Sequence, residues 1–202
     1  MERRKTGTFS ILAISPDFKL MGVAVASGST SVGDRVPHAK PGIGVIATQG
    51  YTNVAYGIKG LELLAKRLIP REALDKLLVK DLERELRQVA IMDFKKRKAV
   101  FTGAKTPEVR GEIVGENYIV IGNLLVGKKV VNGMAKEFDS FSGDLAQRLA
   151  IALKAGKESG GDKRGENSAA LIVVSAEKVE VEIKIGLHKN PIDELCHMLG
   201  IL

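Results

Sequence analysis

Apolar and β-branched residues gather in short runs along the chain, and turn residues separate these runs. The first two runs, 8–14 and 20–27, flank the sequence SPDFK, in which Pro16 and Asp17 are typical turn residues. The two runs therefore predict a β-hairpin. Further runs predict strands at 42–49, 85–93, 99–102, 117–122, 168–174 and 179–185.

Helical periodicity lies between these groups of strands. Leu61, Leu64 and Leu68 fall on one face of a predicted helix over 55–68, and Pro70 begins a shorter second helix. Two more helices are predicted near 128–138 and 142–158, and a last one begins at Pro191. Along the chain, consecutive strands thus form hairpins and consecutive helices form pairs.

This order favours an α+β fold over a doubly wound parallel sheet, which would need strict alternation of strand and helix. Many strands are apolar on both faces, as expected where one face meets a second sheet and the other meets helices. We therefore expect two antiparallel sheets packed together with helix pairs outside. A length of 202 residues suits a single domain over 1–202.

The charge distribution narrows the possible partners. A net charge of +7 could suit a polyanion, but most Lys and Arg residues lie in mixed-sign helices and only 4% of residues are aromatic. We therefore expect no nucleic-acid partner. The apolar runs are shorter than the roughly 20 residues of a membrane helix, and no export-type apolar segment follows the basic start MERRKTG. These features predict a soluble, cytoplasmic protein with no membrane partner.

Metal and disulfide chemistry have little support in the sequence. His38, His188 and His197 are scattered and have no metal-ligand spacing, so we expect no metal site and no cofactor. The single Cys196 falls on the apolar face of the last predicted helix. Packing therefore explains this cysteine better than chemistry does.

The opening strand contains a candidate nucleophile, Thr8. A Thr hydroxyl attacks well only when a base takes its proton, and a free α-amine with a pKa of about 7.7 to 8.0 is a suitable base. Thr8 would gain such an amine on removal of residues 1–7, and Gly7 tolerates the strained backbone that cleavage requires. The alternative is that Gly7 merely begins a strand and Thr8 is an ordinary β-branched residue.

A long polar loop, SGSTSVGDRVPHAKPGIG, is the second candidate region. Arg35, His38 and Lys40 in this loop could orient an anionic substrate or lower the pKa of a nucleophile, and Ser27 could donate a hydrogen bond. A solvated crossover stiffened by prolines is the other interpretation.

Two further junctions carry polar residues. In GGDKRGENS, Asp162 could bind an amine and Arg164 could hold a carboxylate or phosphate, with Asn167 and Ser168 following at the start of a buried strand; a helix C-cap is the alternative. In TQGYTN, Gln49 and Asn53 could form an oxyanion hole or substrate clamp. Equally, Asn53 could cap the next helix.

Several segments resemble, in order and along nearly the whole chain, an uncharacterised family known as domain of unknown function 1028. They are TFSILAISPDFKLMGVAVASGS, VGDRVPHAKPGIGVIATQGYTNVAYGIKGLELL, RQVAIMD, FTGA, IGNLL and GGDKRGENSAALIVV. That family is similar to the N-terminal-nucleophile hydrolase superfamily, which includes proteasome subunits and several amidohydrolases. The resemblance implies a four-layer αββα sandwich, and it also implies a homodimer.

The resemblance places Thr8 at the nucleophile position, because many relatives begin Met-Thr-Phe-Ser. Elsewhere in the superfamily a Lys on a strand after the first hairpin lowers the pKa of the nucleophile, and Arg35 and Lys40 are candidates for that role here. The sequence also departs from relatives, with His38 where Trp is common, Lys40 where Arg is common and Asn167 where Gln is common. Ile121 likewise replaces a frequent Gln.

The leading hypothesis is an amidohydrolase that acts on a small amide metabolite or peptide once residues 1–7 are removed from Thr8. Ser27, Gln49, Asn53 and Asn123 would supply polar contacts or an oxyanion hole, while Asp162 and Arg164 would fix a charged group of the substrate. The competing hypothesis is a non-catalytic protein that binds a small anion on the same fold, with residues 1–7 blocking Thr8.

Overall fold

The computed structural model describes residues 7–201, so most of the predicted leader, residues 1–6, lies outside the described residues. The strands are β1 (Thr8–Ile14), β2 (Met21–Ser27), β3 (Pro37–Lys40), β4 (Gly44–Gly50), β5 (Arg87–Asp93), β6 (Lys98–Thr102), β7 (Gly111–Val114), β8 (Tyr118–Asn123), β9 (Ser168–Val174) and β10 (Val179–Ile185). The helices are α1 (Ala55–Ala65), α2 (Pro70–Val79), α3 (Lys129–Ser140), α4 (Leu145–Glu158) and α5 (Pro191–Met198).

The strands form two sheets in which all neighbours are antiparallel. The large sheet has the order β10-β9-β2-β1-β8-β7, and the small sheet has the order β3-β4-β5-β6. The predicted hairpin of β1 and β2 lies at the centre of the large sheet, where Phe9 pairs with Ala26 and Ile14 with Met21. This hairpin therefore has a partner strand on each side, and both of its strands are buried throughout.

Three apolar layers show how the sheets and helices stack. Leu12, Val23 and Val45 belong to the layer between the two sheets. A second layer packs the large sheet against α3, α4 and α5, and a third packs the small sheet against α1 and α2. The predicted α+β, four-layer αββα sandwich is therefore confirmed.

The two-residue period of the strands decides which side chains enter the layer between the sheets. In β1, Phe9 and Ile11 pack against helices, whereas Leu12 and Ile14 meet the small sheet. Thr8 has the same parity as Leu12, so its side chain continues the row between the sheets. This alternation explains how an otherwise apolar strand places the Thr8 hydroxyl at the end of the layer between the two sheets.

Four details differ from the sequence prediction. The long loop after β2 contains the short strand β3, and β7 was not predicted. Residues Arg84–Leu86 form a 3-10 helix, so β5 begins at Arg87 rather than at 85. The large sheet is covered by three helices instead of a pair, since α5 packs on β9 and β10 beside α4.

The last helix buries the cysteine as its periodicity predicted. Cys196 is fully buried beside Leu195, and burial raises the pKa of its thiol. No helix within residues 7–201 is both long and apolar enough to cross a membrane.

Candidate active site

Polar side chains replace apolar ones at a single end of the layer between the sheets. Each of them continues a row of inward-facing core residues by the two-residue period of its own strand. These polar residues are Thr8, Ser10, Ser27, Gln49, Gln88, Asn123 and Ser168. All seven are buried, so hydrogen bonds within the protein must replace those to water.

The carbonyl oxygen of Gly7 is the point on which these groups converge. It accepts hydrogen bonds from the Thr8 hydroxyl at 2.5 Å, from the Ser27 hydroxyl at 2.5 Å and from Arg164 Nη2 at 2.9 Å. The Thr8 and Ser27 hydroxyls are themselves 3.2 Å apart. The hydroxyl of the candidate nucleophile therefore lies at the peptide bond that joins it to residue 7, and two other donors polarise the same carbonyl.

A chain of carboxamides lies behind Thr8. Gln49 Nε2 donates to the Thr8 carbonyl oxygen at 3.1 Å and to Gln88 Oε1 at 2.8 Å, while Gln49 Oε1 accepts from the Ser10 hydroxyl at 2.5 Å. Asn123, which pairs with Thr8 across β1 and β8, donates to Gln88 Oε1 at 3.1 Å. These bonds link the small sheet to the large sheet, and one of them holds the carbonyl oxygen of Thr8 at the start of β1.

Asp162 and Arg164 form an ion pair beside Gly7, in which the carboxylate is buried and the guanidinium is partly exposed. Arg164 Nη2 and Nε lie 2.7 Å and 3.0 Å from the two carboxylate oxygens of Asp162, whose side chain has no exposed surface. The Asp162 carboxylate also accepts the Gly28 backbone N–H at 2.8 Å. The ion pair thereby ties the loop after α4 to the end of β2, and it aims one Arg164 nitrogen at the Gly7 carbonyl.

Glu166 supports this loop from the other side. Its Oε1 accepts the Asp162 backbone N–H at 3.0 Å, and burial of the side chain raises the pKa of its carboxyl group. Asn167 donates to the Gly28 carbonyl at 2.8 Å. Ser168 donates to the Ser29 carbonyl at 2.6 Å and accepts the Val32 N–H at 3.1 Å. Asn167 and Ser168 thus hold the loop after β2 in place rather than facing Thr8.

The structure places the other predicted site residues away from this convergence. Arg35 is bonded to the backbone carbonyl of Thr30, and Lys40 is an exposed residue at the end of β3. Lys40 pairs with Gly44, at the opposite end of β4 from Gln49. The basic side chain that contacts the Gly7–Thr8 peptide among the described residues is therefore Arg164.

His38 and Asn53 have local structural contacts. His38 is opposite Ile46 in the sheet, so it faces α1, and its ring packs against Gly57. Burial lowers the pKa of this imidazole. Asn53 Oδ1 accepts the Ala55 N–H at 3.1 Å at the start of α1. This contact fits the alternative in which Asn53 caps the helix that follows it.

Sequence reasoning missed Gln88 and Ser10. Gln88 also donates to Thr102 Oγ1 at 3.1 Å and to the carbonyl oxygens of Gly111 and Gly122. The two-residue alternation of the strand could have identified Gln88, because its side chain continues the inward-facing row of Ala90 and Met92 in the segment RQVAIMD.

An open cleft of about 490 Å³ lies where the edge strands β6 and β7 meet the start of α3. Arg110, Glu112, Lys128 and Asn132 supply its polar lining. Thr102 connects the cleft to the buried amides, since its hydroxyl contacts both Glu112 and Gln88. Within residues 7–201, no group of three or more His, Cys, Asp or Glu side chains could hold a metal ion.

Comparison with known proteins identifies the family. The family model described as "Family of unknown function (DUF1028)" matches residues 8–195. The chain belongs to the DUF1028 family. The predicted resemblance is therefore confirmed, and the segment shared with the family begins at Thr8.

One solved structure agrees with this assignment. The protein is similar to a crystal structure of a DUF1028 protein from Silicibacter pomeroyi, with 31% sequence identity, a TM-score of 0.90 and coverage of 96% of this chain and 85% of that chain. A match to Anbu (ancestral beta-subunit) from Yersinia bercovieri has 11% identity and a TM-score of 0.45, covering 95% of this chain and 93% of that one. A search of curated proteins found no match.

Proposed function

We propose that this DUF1028 protein is an N-terminal-nucleophile amidohydrolase that first cleaves its own Gly7–Thr8 peptide bond. The observation that carries the proposal is the position of the Thr8 hydroxyl, 2.5 Å from the oxygen of the Gly7 carbonyl and beside two further donors to that oxygen. A glycine that only began a strand would not need three hydrogen-bond donors on its carbonyl oxygen.

The cleavage step follows from these contacts. Thr8 Oγ1 attacks the Gly7 carbonyl carbon, and the negative charge that develops on the Gly7 oxygen is stabilised by the Ser27 hydroxyl and by Arg164. The Gly7–Thr8 C–N bond breaks, the hydroxyl proton is transferred to the departing nitrogen, and an ester joins Gly7 to Thr8 Oγ1. Water then hydrolyses this ester, which releases residues 1–7 as a carboxylic acid and leaves Thr8 with a free α-amine.

The same groups can then act on a second amide. The new α-amine takes the proton of Thr8 Oγ1 as the hydroxyl attacks the substrate carbonyl. The substrate's C–N bond breaks, the amine product takes up the proton, and water hydrolyses the acyl ester to a carboxylic acid. Gln49 and Asn123 act as positioning residues, because the Gln49 amide donates to the Thr8 carbonyl oxygen and Asn123 lies opposite Thr8 in the β1–β8 pair and bonds to Gln88.

Intact mass and N-terminal sequencing of the protein made in its native cell test the first step. We expect a chain that begins at Thr8, with Thr8→Ala remaining at full length and Thr8→Ser still being cleaved. A wild-type chain that keeps residues 1–7 would contradict the proposal, since no α-amine would then exist at Thr8. Amide hydrolysis that persists in Thr8→Ala would contradict the nucleophile assignment.

The second candidate is a non-catalytic protein that binds a small anion. It is favoured by the burial of Thr8, which is 3% exposed while Gly7 is attached, and by the cleft that contains Arg110 and Lys128. Calorimetric titration of the uncleaved chain with small carboxylates and phosphates distinguishes the two candidates. Binding lost in Arg110→Gln without any cleavage at Thr8 would favour this candidate.

We also propose that the protein is a cytoplasmic homodimer, that it acts on a small-molecule substrate, and that it does not bind nucleic acid. The family resemblance is the support for the dimer, and the scarcity of aromatic residues is the support for excluding nucleic acid. Light scattering, cell fractionation and oligonucleotide titration at low salt test these three parts separately.

A further inference from the structure

Gly7 packs directly on the carboxylate of Asp162. A Cβ atom built on Gly7 would lie 2.5 Å from Asp162 Oδ2 and 2.7 Å from both Cγ and Oδ1. Ordinary contacts between such atoms are about 3.5 Å or longer. At the position where an L-residue would carry its side chain, the space beside the Gly7 carbonyl therefore admits only the hydrogen atom of glycine.

Asp162 has little freedom to move out of the way. Its Oδ2 is held by Gly28 N–H and Arg164 Nη2, and its Oδ1 is held by Arg164 Nε and by the Arg164 backbone N–H. The side chain has no exposed surface. Rotating it would break four hydrogen bonds and would also release the guanidinium that polarises the Gly7 carbonyl. The restriction on the α-carbon is thus enforced by a fixed group.

This inference rests on the proposed function, in which one nucleophile attacks two carbonyls in turn. An amide substrate must place its carbonyl where the Gly7 carbonyl lies, because Thr8, Ser27 and Arg164 define a single reaction site. The acyl side of the substrate must then occupy the space of Gly7. The restriction that Asp162 imposes on the leader consequently applies to substrates as well.

We propose that Asp162 limits the substrates of this enzyme to amides of acyl groups without an L side chain on the α-carbon, such as acetyl and glycyl amides. Asp162 acts here as a specificity-determining residue, with a role separate from its hold on Arg164. An L-alanyl amide carries one methyl group more than a glycyl amide, and that methyl group meets the carboxylate.

Substrate turnover by the processed wild-type protein tests the proposal without any variant. The probes are para-nitroanilides of acetate, glycine, L-alanine and L-leucine, and Thr8→Ala provides the background rate. We expect kcat/KM for the acetyl and glycyl probes to exceed that for the L-alanyl probe by at least about tenfold, because overpacking of this kind typically costs that much or more. The L-leucyl probe should be no better than the L-alanyl probe.

Two outcomes separate failure of this inference from failure of the proposed function. Thr8-dependent hydrolysis of the L-alanyl probe at the rate of the glycyl probe would overturn the specificity limit and leave the proposed function intact. Hydrolysis of none of the four probes, by a chain whose Thr8 is free, would overturn the turnover step and this inference with it.

Cleavage of the leader gives an independent measurement. In Gly7→Ala we expect processing, followed by intact mass, to slow at least about tenfold. The same Gly7→Ala change made in an Asp162→Ala background should slow processing no further than Asp162→Ala alone, because the carboxylate that the methyl group meets is gone. The matched control is Gly127→Ala, at a position where the added methyl group would meet only Lys129 Cγ at 3.7 Å. Processing of Gly7→Ala at the wild-type rate would overturn the inference.

Discussion

Replacement of Arg164 by Gln tests the assignment of the charged donor at the scissile carbonyl. Arg164 Nη2 lies 2.9 Å from the Gly7 oxygen, and the shorter Gln side chain removes both this donor and its charge. Loss of one preorganised donor to a developing oxyanion typically lowers the rate by about 10²- to 10³-fold. We therefore expect leader cleavage to slow by about that factor, with Ser27 still donating to the same oxygen.

The stability of this variant determines whether the rate can be interpreted. Breaking a fully buried ion pair costs about 3–5 kcal/mol in unfolding free energy. Here the Arg164 side chain is 32% exposed, and the Asp162 carboxylate keeps the backbone N–H groups of Gly28 and residue 164. We expect a loss of about 2–3 kcal/mol, which leaves a folded protein if the total lies in the usual range of about 5–15 kcal/mol.

The assay is the time course of leader release after synthesis, followed by intact mass, with the unfolding free energy measured by urea titration. Arg35→Gln is the matched control, because it makes the same change of charge on the loop after β2, where Arg35 contacts backbone carbonyls only. We expect the control to cleave at the wild-type rate. An unchanged rate in Arg164→Gln, or an equal slowing in Arg35→Gln, would refute the assignment.

Three further predictions follow from other parts of the structure. Gln88→Met keeps the side-chain length but removes the acceptor shared by Gln49 and Asn123, so urea titration should show a loss of about 2–4 kcal/mol in unfolding free energy; an unchanged value would contradict its central role. Hydrogen bonding from Arg87 lowers the pKa of Asp81 from 3.8 to about 2. This ion pair should therefore stabilise the fold above pH 4, and Asp81→Asn and wild type should converge in unfolding free energy as the pH falls towards 2. Residues 7–201 should unfold as a single domain, with one transition shared by circular dichroism and tyrosine fluorescence, whereas separate transitions would indicate two units.

Hydrophobic periodicity was sufficient to predict the layers of the fold. The strand pair around SPDFK and the helix that begins at Pro70 follow from local rules for turns and helix starts. The strand β7 escaped prediction because its sequence, GEIV, is short and alternates exposed with half-buried residues at the edge of the sheet. Its position is set by pairing with β8, a contact that local sequence does not contain.

The site was only partly predictable for a related reason. Thr8, Ser27, Asp162 and Arg164 were all candidates, but their convergence on one carbonyl depends on the pairing of β1 with β2 and on the loop after α4. Lys40 was a reasonable candidate by charge and distance along the chain. The register of β3 against β4 places it opposite Gly44, far from Gln49, and no local pattern specifies that register.

The proposed function gives Gly7 a specific role at the leader junction. What requires glycine is the carboxylate of Asp162 at the position of a Cβ atom. Asp162 in turn is needed to orient Arg164, so one ion pair polarises the carbonyl and also selects the residue that carries it. Under the proposed function, the Gly7–Thr8 junction is the first substrate of Thr8, and the glycine at position 7 reflects the same limit on the acyl group that Asp162 imposes on later substrates.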